Sequence, residues 1–302
     1  MKFNLPIFAL TMAAGLPGVL AQNARSDGIS ARLTGQTLVA DAAHRLVAQP
    51  HLEANLRQQI NLFGQELSGP GYYAQFGAGS GKFRLQLKLS IDSKPAIFQQ
   101  ICDGRFLYVE KNLPERKSLM FIDFDRVQET INNADDSRIA AMSPVMLARG
   151  GLSRLLRELE QNFQFGEPLP SEIGSGKIPV WTVRGLWKRE KLTQLLSGQA
   201  AEIEAGKPAR LNELAPHLPH SVVLTLGRDE TFPLFPYRIV YRKHIIKNVS
   251  GRSSLQTQPI LILEMFNVRQ RADMQSAEFD YKPDDEELVD GTAAYIEKLY
   301  KR

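Results

Sequence analysis

The residues best suited to metal chemistry are two histidines, His217 and His220, which stand three positions apart. An H-x-x-H spacing can bring two imidazoles to one metal ion. No third histidine, cysteine or carboxylate stands at a suggestive distance, and Pro216 and Pro219 lie beside the pair. The pattern therefore predicts two solvated loop histidines and no metal site.

A second chemical candidate is the glycine-rich stretch GAGSGK at residues 77–82, which looks like a phosphate-binding loop. Its glycine spacing is one residue short of the P-loop pattern, and Phe83 stands where Ser or Thr is needed. A predicted strand follows it, whereas phosphate binding of this type requires a helix N-terminus. A hairpin turn is the better interpretation of these glycines.

The remaining reactive residues do not indicate catalysis. The single cysteine, Cys102, is predicted to be a small buried hydrophobe, and it has no cysteine partner for a disulfide within the chain. The acidic run Asp284 to Glu287 is typical of a solvated turn, since like charges repel. No G-x-S-x-G motif occurs. We therefore predict a protein that is not an enzyme and that holds no cofactor and no metal.

The elements that position these residues are mainly strands. In residues 83–91, FRLQLKLSI, apolar and polar side chains alternate, as in a half-buried strand. Asp103-Gly104 favours a type I′ hairpin between two further strands. The fold class predicted is α+β, with a curved antiparallel sheet that forms an incomplete β-barrel and helices that cover its concave face. The other predicted strands are residues 97–102, 105–110, 119–124, 177–187, 221–227, 237–247 and 259–269.

Helices are predicted from apolar spacing at three places. Leu52, Leu56, Ile60 and Phe63 follow helical spacing behind Pro50. Residues 152–163 carry leucines and a phenylalanine on one helical face, and residues 292–301 form a final helix. A short helix after residue 124 is expected to be capped by Asp125, with Gln128 three residues later.

The N-terminus has the pattern of a secretory signal peptide. Lys2 precedes an apolar run that ends at Val19-Leu20-Ala21, which predicts cleavage after Ala21. Residues 22–37 are polar and without a clear period, so we predict a flexible arm followed by one domain from 38 to 302. The protein is thus predicted to be exported.

The charge balance argues against nucleic acid as a partner. The chain has 37 basic and 33 acidic residues, a net charge of +4. The basic residues are scattered along both halves with no aromatic-interleaved basic motif. Peripheral contact with an anionic membrane surface is compatible with this small excess.

Two segments carry a resemblance to a known family. Residues 96–111 read AIFQQICDGRFLYVEK, and residues 102–108 within them are similar to the DG-x-x-(L/I)-(W/Y) hairpin of the LolA/LolB lipoprotein-carrier family and its LppX- and RseB-like relatives. The closing residues Glu264, Phe266, Asn267, Val268, Phe279, Tyr281 and Pro283 resemble the end of the same family. The resemblance covers about two thirds of the chain, and members of the family are shorter.

The resemblance implies an incomplete barrel around a hydrophobic cavity, and hence binding of a lipid or an acylated protein cargo. An acyl chain gains about 0.8 kcal/mol per buried methylene, so such a site needs no polar motif. Alternatively, the same scaffold binds an envelope protein partner, as in RseB-like sensing. Arg84 is the residue implied as a latch for the helical lid, although no proline follows it here as in the family. The cavity residues predicted from strand alternation are Phe83, Leu85, Leu87, Leu89, Tyr237, Ile239, Ile262 and Phe266.

Overall fold

A computed structural model describes residues 34–62, 65–77, 79–91, 94–132, 151–249, 252–281 and 288–300. The predicted signal peptide, residues 22–33 of the predicted arm and the acidic run at 284–287 lie outside them. The helices are α1 Gly35–Ala48, α2 Phe124–Asn132, α3 Gly151–Asn162, α4 Arg189–Leu195, α5 Ala200–Glu204 and α6 Thr292–Tyr300. The strands are β1 Leu52–Leu62, β2 Gln65–Phe76, β3 Lys82–Ile91, β4 Lys94–Cys102, β5 Phe106–Leu113, β6 Arg116–Asp123, β7 Phe163–Phe165, β8 Leu169–Ile173, β9 Ile178–Trp187, β10 Ser221–Gly227, β11 Pro236–Val249, β12 Arg252–Gln270 and β13 Leu288–Asp290.

The strands of the described residues form one sheet of thirteen strands. Its order is β13-β6-β5-β4-β3-β2-β1-β12-β11-β10-β9-β7, and β8 also pairs with β9. Every pairing is antiparallel except that of β13 with β6. Because β13 at one edge does not pair with β7 or β8 at the other, the curved sheet stays open. The predicted α+β fold with an incomplete barrel is confirmed.

Residues 52–62 are the central strand β1, so the helix predicted there is wrong. Leu52, Leu56 and Ile60 are spaced by four, and an even spacing also places them on one face of a strand. β1 pairs with β2 on one side and with β12 on the other along most of its length. This pairing on both sides outweighs the local helical pattern.

The helix of this region lies earlier in the chain. α1 begins at Gly35, and Thr34 caps it through a reciprocal pair of hydrogen bonds with Thr37. Residues 35–37, which were predicted to belong to the flexible arm, are therefore helical. Leu38, Val39, Ala42 and Leu46 are the face of α1 that is buried.

Two predicted turns are present, one of them with a different geometry. β2 and β3 pair as an antiparallel hairpin, as expected from the glycine-rich stretch between them. Asp103 and Gly104 also lie in a hairpin, but Gly104 has a φ of 103° and Asp103 does not have a positive φ, so the turn is not type I′. The Asp103 carboxylate instead accepts hydrogen bonds from the backbone N–H groups of Arg105 and Phe106.

The cap of α2 is Asp123 and not Asp125. The Asp123 carboxylate accepts a hydrogen bond from the backbone N–H of Asp125 at 3.0 Å. The helix begins at Phe124, two positions earlier than a cap at Asp125 predicts. A carboxylate at this end of a helix also interacts favourably with the helix dipole.

The two faces of the sheet follow from the strand register, since residues paired directly across antiparallel strands share a face. Leu56 pairs with Gly71, which pairs with Leu87, and this row of residues lies on the concave face. The main hydrophobic core covers this face and includes leucines of α1 and α3. A smaller cluster of Ala74, Met274 and Phe279 lies on the opposite, outer face. The helices α1 and α3 therefore cover the concave face, as predicted.

Candidate functional site

The structure brings most of the predicted cavity residues together on the concave face. Phe83, Leu85 and Leu87 of β3 are buried, and Leu89 is half-buried on the same side. Tyr237 and Ile239 of β11 belong to the same core. The first residue of α3, Gly151, lies against this surface: a Cβ added to Gly151 would be 3.2 Å from the Phe83 ring. The candidate site is the interface between this face and the helices above it.

Two predicted cavity residues lie on the outer face, so their assignment to the interior is wrong. Leu263 and Met265 are the buried residues of β12, and Ile262 and Phe266 alternate with them. Phe266 pairs with Asn55 and is 39% exposed. The run from Pro259 to Phe266 is almost continuously apolar, so alternation alone did not identify its inner face.

The interior is filled in this closed arrangement. A cavity of about 30 Å³ lies between α3, strands β11 and β12, and the loop before β10. Pockets for drug-sized ligands measure roughly 300–1,000 Å³. The cavity at this position is thus too small to hold an acyl chain. The cavity is lined by Leu155, Glu158, Leu159, Asn162, Phe163, His217, Pro219, Tyr241, Ile260 and Leu261.

Gln36 joins helices α1 and α3 by hydrogen bonds. Gln36 Nε2 donates hydrogen bonds to the backbone carbonyl and the carboxylate of Glu160, at 3.0 and 2.8 Å. The backbone N–H of Phe165 donates to Gln36 Oε1 at 3.0 Å. The two helices therefore form one unit, which we call the lid.

A buried polar chain fixes the α1 side of the lid to the sheet. The Tyr73 hydroxyl donates to Gln75 Oε1 at 2.9 Å, and Gln75 Nε2 donates to the Leu46 carbonyl at 2.5 Å. Burial raises the pKa of Tyr73 well above its usual value, so this hydroxyl remains a donor at any physiological pH. The contact ties β2 to the last turn of α1.

A buried arginine fixes the α3 side. Arg154 Nε donates to Glu158 at 2.8 Å, and Arg154 Nη1 donates to the Tyr295 hydroxyl of α6 at 2.9 Å. The guanidinium also lies 5.2 Å from the centre of the Tyr295 ring. Tyr295 in turn packs edge-on against Phe124 of α2. The lid is thus connected to the C-terminal helix and to the β6 end of the sheet.

Arg84 does not contact the lid. Its Nη2 donates to the Glu278 carbonyl at 2.8 Å, and Glu278 lies in the 3-10 helix Ser276–Phe279 on the outer face. Arg84 pairs with Ala74 and Ile101 across the sheet, which also places it on the outer face. The predicted lid latch is therefore wrong: Arg84 binds the C-terminal segment because strand alternation directs it away from the concave side.

Sequence reasoning identified α3 but not the polar residues that hold it. The i, i+4 spacing of Arg154 and Glu158 is visible in the sequence and indicates an ion pair. The burial of this ion pair depends on Tyr295 of α6, which lies near the end of the chain and contacts Arg154. Nothing in the sequence indicated that Gln36 and Gln75 make buried contacts, since single glutamines are common on protein surfaces.

His220 is buried, so the prediction of two solvated histidines is wrong for this residue. It is 4% exposed, and its Nδ1 accepts a hydrogen bond from the backbone N–H of His244 at 3.0 Å. Burial, together with nearby Lys243 and His244, lowers the pKa of His220 from 6.5 to about 4. In the described part of the chain, no group of three or more His, Cys, Asp or Glu side chains has the arrangement of a metal site.

The depressed pKa of His220 predicts acid sensitivity. The folded state favours the neutral imidazole, so between pH 6.5 and about 4 the unfolded chain binds more protons and stability falls as the pH falls. The variant His220→Asn keeps an acceptor near the Nδ1 position but cannot titrate. We expect urea unfolding midpoints to fall less steeply over this pH window in the variant than in the wild type. Equal pH dependence in both proteins would contradict this role.

Among the residues described, none of the helices combines the length and the apolar character that a membrane span requires.

Several solved structures are similar to this one. A LolA superfamily protein from Nitrosomonas europaea is 10% identical and covers 82% of this chain and 98% of its own, with a TM-score of 0.29. MucB is 10% identical over 82% of this chain and 62% of its own, with a TM-score of 0.37. LprF from Mycobacterium bovis is 10% identical over 77% of this chain and 91% of its own, with a TM-score of 0.33.

These similar structures include LolA superfamily proteins, the family that the sequence motifs resemble. At these identities and TM-scores the matches carry no argument about this chain, so ligand and partner are argued from the site. No protein-family model and no curated protein matches the sequence.

Proposed function

We propose that this protein is an exported, non-catalytic binding protein that receives the acyl chains of a lipid or lipoprotein on the concave face of its sheet. The closed interior does not admit a chain, so the ligand binds by displacing α3 from the face that it covers. The observation that supports this proposal is the nature of the α3 contact. Four of its six buried residues are leucines, Leu152, Leu155, Leu156 and Leu159, and the other two are Glu158 and Asn162.

The exchange of α3 for an acyl chain is close to balanced in free energy. Burial of a leucine side chain contributes about 1.5–3 kcal/mol, so these leucines together contribute about 6–12 kcal/mol. An acyl chain of about fourteen methylenes gains about 11 kcal/mol when it is buried. The ligand can therefore replace the helix without a preformed cavity, provided that the polar contacts of the lid are few.

The polar contacts of the lid include side-chain hydrogen bonds at three places, together with a hydrogen bond from the Lys188 N–H to the Asn162 carbonyl and an approach of Lys188 to Glu160 at 4.0 Å. Gln36 joins α1 to α3, Gln75 joins α1 to the sheet, and Arg154 joins α3 to α6. Each neutral hydrogen bond contributes about 0.5–1.5 kcal/mol. Loss of the Gln36 contacts should therefore favour the open form by a measurable amount.

The test is acyl-chain binding by a lid variant. A fluorescent long-chain fatty acid is titrated into the wild type, into Gln36→Ala and into Gln194→Ala, a matched control on the exposed side of α4. We expect saturable binding by the wild type and about tenfold tighter binding by Gln36→Ala, since about 1.4 kcal/mol less is needed to open the lid. The Gln194→Ala control should bind the fatty acid with the same affinity as the wild type.

Failure of binding would favour a second candidate function. If neither the wild type nor Gln36→Ala binds the fatty acid, and organic extracts of the purified protein contain no lipid, the acyl-binding proposal is wrong. The filled interior, with its cavity of about 30 Å³, then supports a scaffold that binds an envelope protein partner on its outer surface. Recovery of one defined partner by the closed protein would be the corresponding positive result.

A further inference from the structure

The hairpin of β11 and β12 extends well beyond the neighbouring strands. Pairing of β10 with β11 ends at Ser221 and Arg242, and pairing of β1 with β12 ends at Ile60 and Leu261. Beyond this level β11 and β12 pair only with each other, from Lys243 opposite Gln258 to Val249 opposite Arg252. At about 3.3 Å per residue this projection is about 20 Å long. We call residues 243–249 and 252–258 the ribbon.

The base of the ribbon has an identifiable cause. Pro259 has no N–H to donate to a neighbouring strand, and Ile260 is the extra residue of a bulge opposite Tyr241 and Arg242. A bulge bends a strand and increases its twist, so the two strands leave the sheet together at this point. Lys243 Nζ then donates to the Pro216 carbonyl at 3.0 Å, which fixes the base to the loop before β10.

The ribbon and its base are free of acidic residues. No Asp or Glu occurs between Glu230 and Glu264, whereas the whole chain has 33 acidic and 37 basic residues. The basic residues of this interval are Arg238, Arg242, Lys243, Lys247 and Arg252. Apart from Arg238, which pairs with Glu264, these basic residues lie on the ribbon or at its base.

The ribbon also contains apolar residues, and these help to decide which kind of anionic partner fits it. Its sequence contains Ile245, Ile246, Val249 and Leu255 beside the basic residues. An isolated two-stranded ribbon is marginally stable in water, so a surface that covers it contributes to its order. A phospholipid surface offers both an anionic headgroup layer for the basic residues and an apolar layer beneath it. A nucleic acid offers only the first of these.

We propose that the ribbon is a docking element for an anionic phospholipid surface, and that it holds the protein at the membrane by peripheral contact. This role is separate from acyl binding on the concave face, since the ribbon lies outside that site. Peripheral attachment would keep the sheet close to a source or an acceptor of lipid.

The experiment is cosedimentation of the full mature chain with vesicles. Vesicles of phosphatidylcholine alone are compared with vesicles that also contain phosphatidylglycerol. We expect binding to the anionic vesicles only, weakened by added salt. The variant Lys247→Gln with Arg252→Gln should bind about thirty-fold more weakly, since each basic residue near such a surface contributes about one kcal/mol.

A matched control removes the same charge elsewhere. Arg184→Gln with Lys207→Gln replaces two exposed basic residues outside the ribbon and should bind as the wild type does. Equal weakening by both double variants would overturn the proposal, because the binding would then depend on net charge. Equal binding to both vesicle types, or retention on a DNA duplex without retention on vesicles, would also overturn it.

A measurement on the wild type keeps the test independent of variant folding. Amide hydrogen exchange with and without anionic vesicles should show slower exchange at residues 243–258 and little change elsewhere. Protection confined to another part of the chain would contradict the assignment. Because the fatty-acid titration of the lid variants uses no vesicles, failure of either proposal leaves the other testable.

Discussion

Replacement of Arg154 by methionine is expected to lower the free energy of unfolding by about 3–5 kcal/mol, because it leaves the Glu158 carboxylate buried without its guanidinium partner. The side chains of both residues are largely buried, at 14% and 9% exposure. Methionine retains the apolar stem of the arginine, so most of the effect reports the lost charge. Urea denaturation followed by circular dichroism measures the change.

The double variant Arg154→Met with Glu158→Met is the control for this prediction. Replacement of a whole buried ion pair by apolar residues is often neutral, so the double variant should recover most of the lost stability. A single variant that costs less than about 1 kcal/mol would show that the pair is solvated, as surface pairs are. A double variant as unstable as the single one would show that Arg154 acts through packing or through Tyr295 alone.

Replacement of Phe279 by alanine is expected to cost about 3–5 kcal/mol, the range for truncation of a buried phenylalanine. Phe279 is 1% exposed and packs with Ala74 and Met274 on the outer face, and its ring centre lies 5.8 Å from that of Phe76. The loss should also release the C-terminal segment from Arg84. Thermal unfolding measures the first effect, and faster amide exchange at residues 274–281 measures the second.

Phe266 provides the matched comparison on the same outer face. It is 39% exposed, and Phe266→Ala removes the same number of atoms from a position that water already reaches. We expect a cost of less than about 1 kcal/mol, which includes the contact with the Arg57 guanidinium at 5.5 Å from its ring centre. Similar costs at the two positions would show that the outer cluster does not anchor the C-terminal segment.

Elements with an unbroken local pattern could be predicted from the sequence, whereas elements fixed by distant strands could not. The strand at residues 83–91 was predicted because its alternation is unbroken, and α3 was predicted because its leucines follow helical spacing. For residues 52–62, a spacing of four was compatible with both a helix and a strand. The partner that decides between them, β12, lies in the last third of the chain, and no local pattern reveals it.

Some residues of the candidate site were placed correctly from the sequence, and others were not. The β3 residues were placed on the correct face, whereas Ile262 and Phe266 were not, because both faces of β12 are apolar and the bulge at Ile260 was not visible. The burial of His220 depends on the base of the ribbon, which folds over it from residues 242–244. The role of Arg154 could not be predicted from the sequence, because its partner Tyr295 lies in α6, far along the chain.

The pairing of β1 with β12 has a consequence for the order in which the sheet can form. The middle of the sheet joins Leu56 to Met265, so β1 lacks one neighbour until β12 has been synthesised. Contacts between such distant residues slow the folding of a domain. The two halves of the sheet therefore cannot be joined during synthesis of the residues before Arg252, where β12 begins, and this central contact is expected to form late.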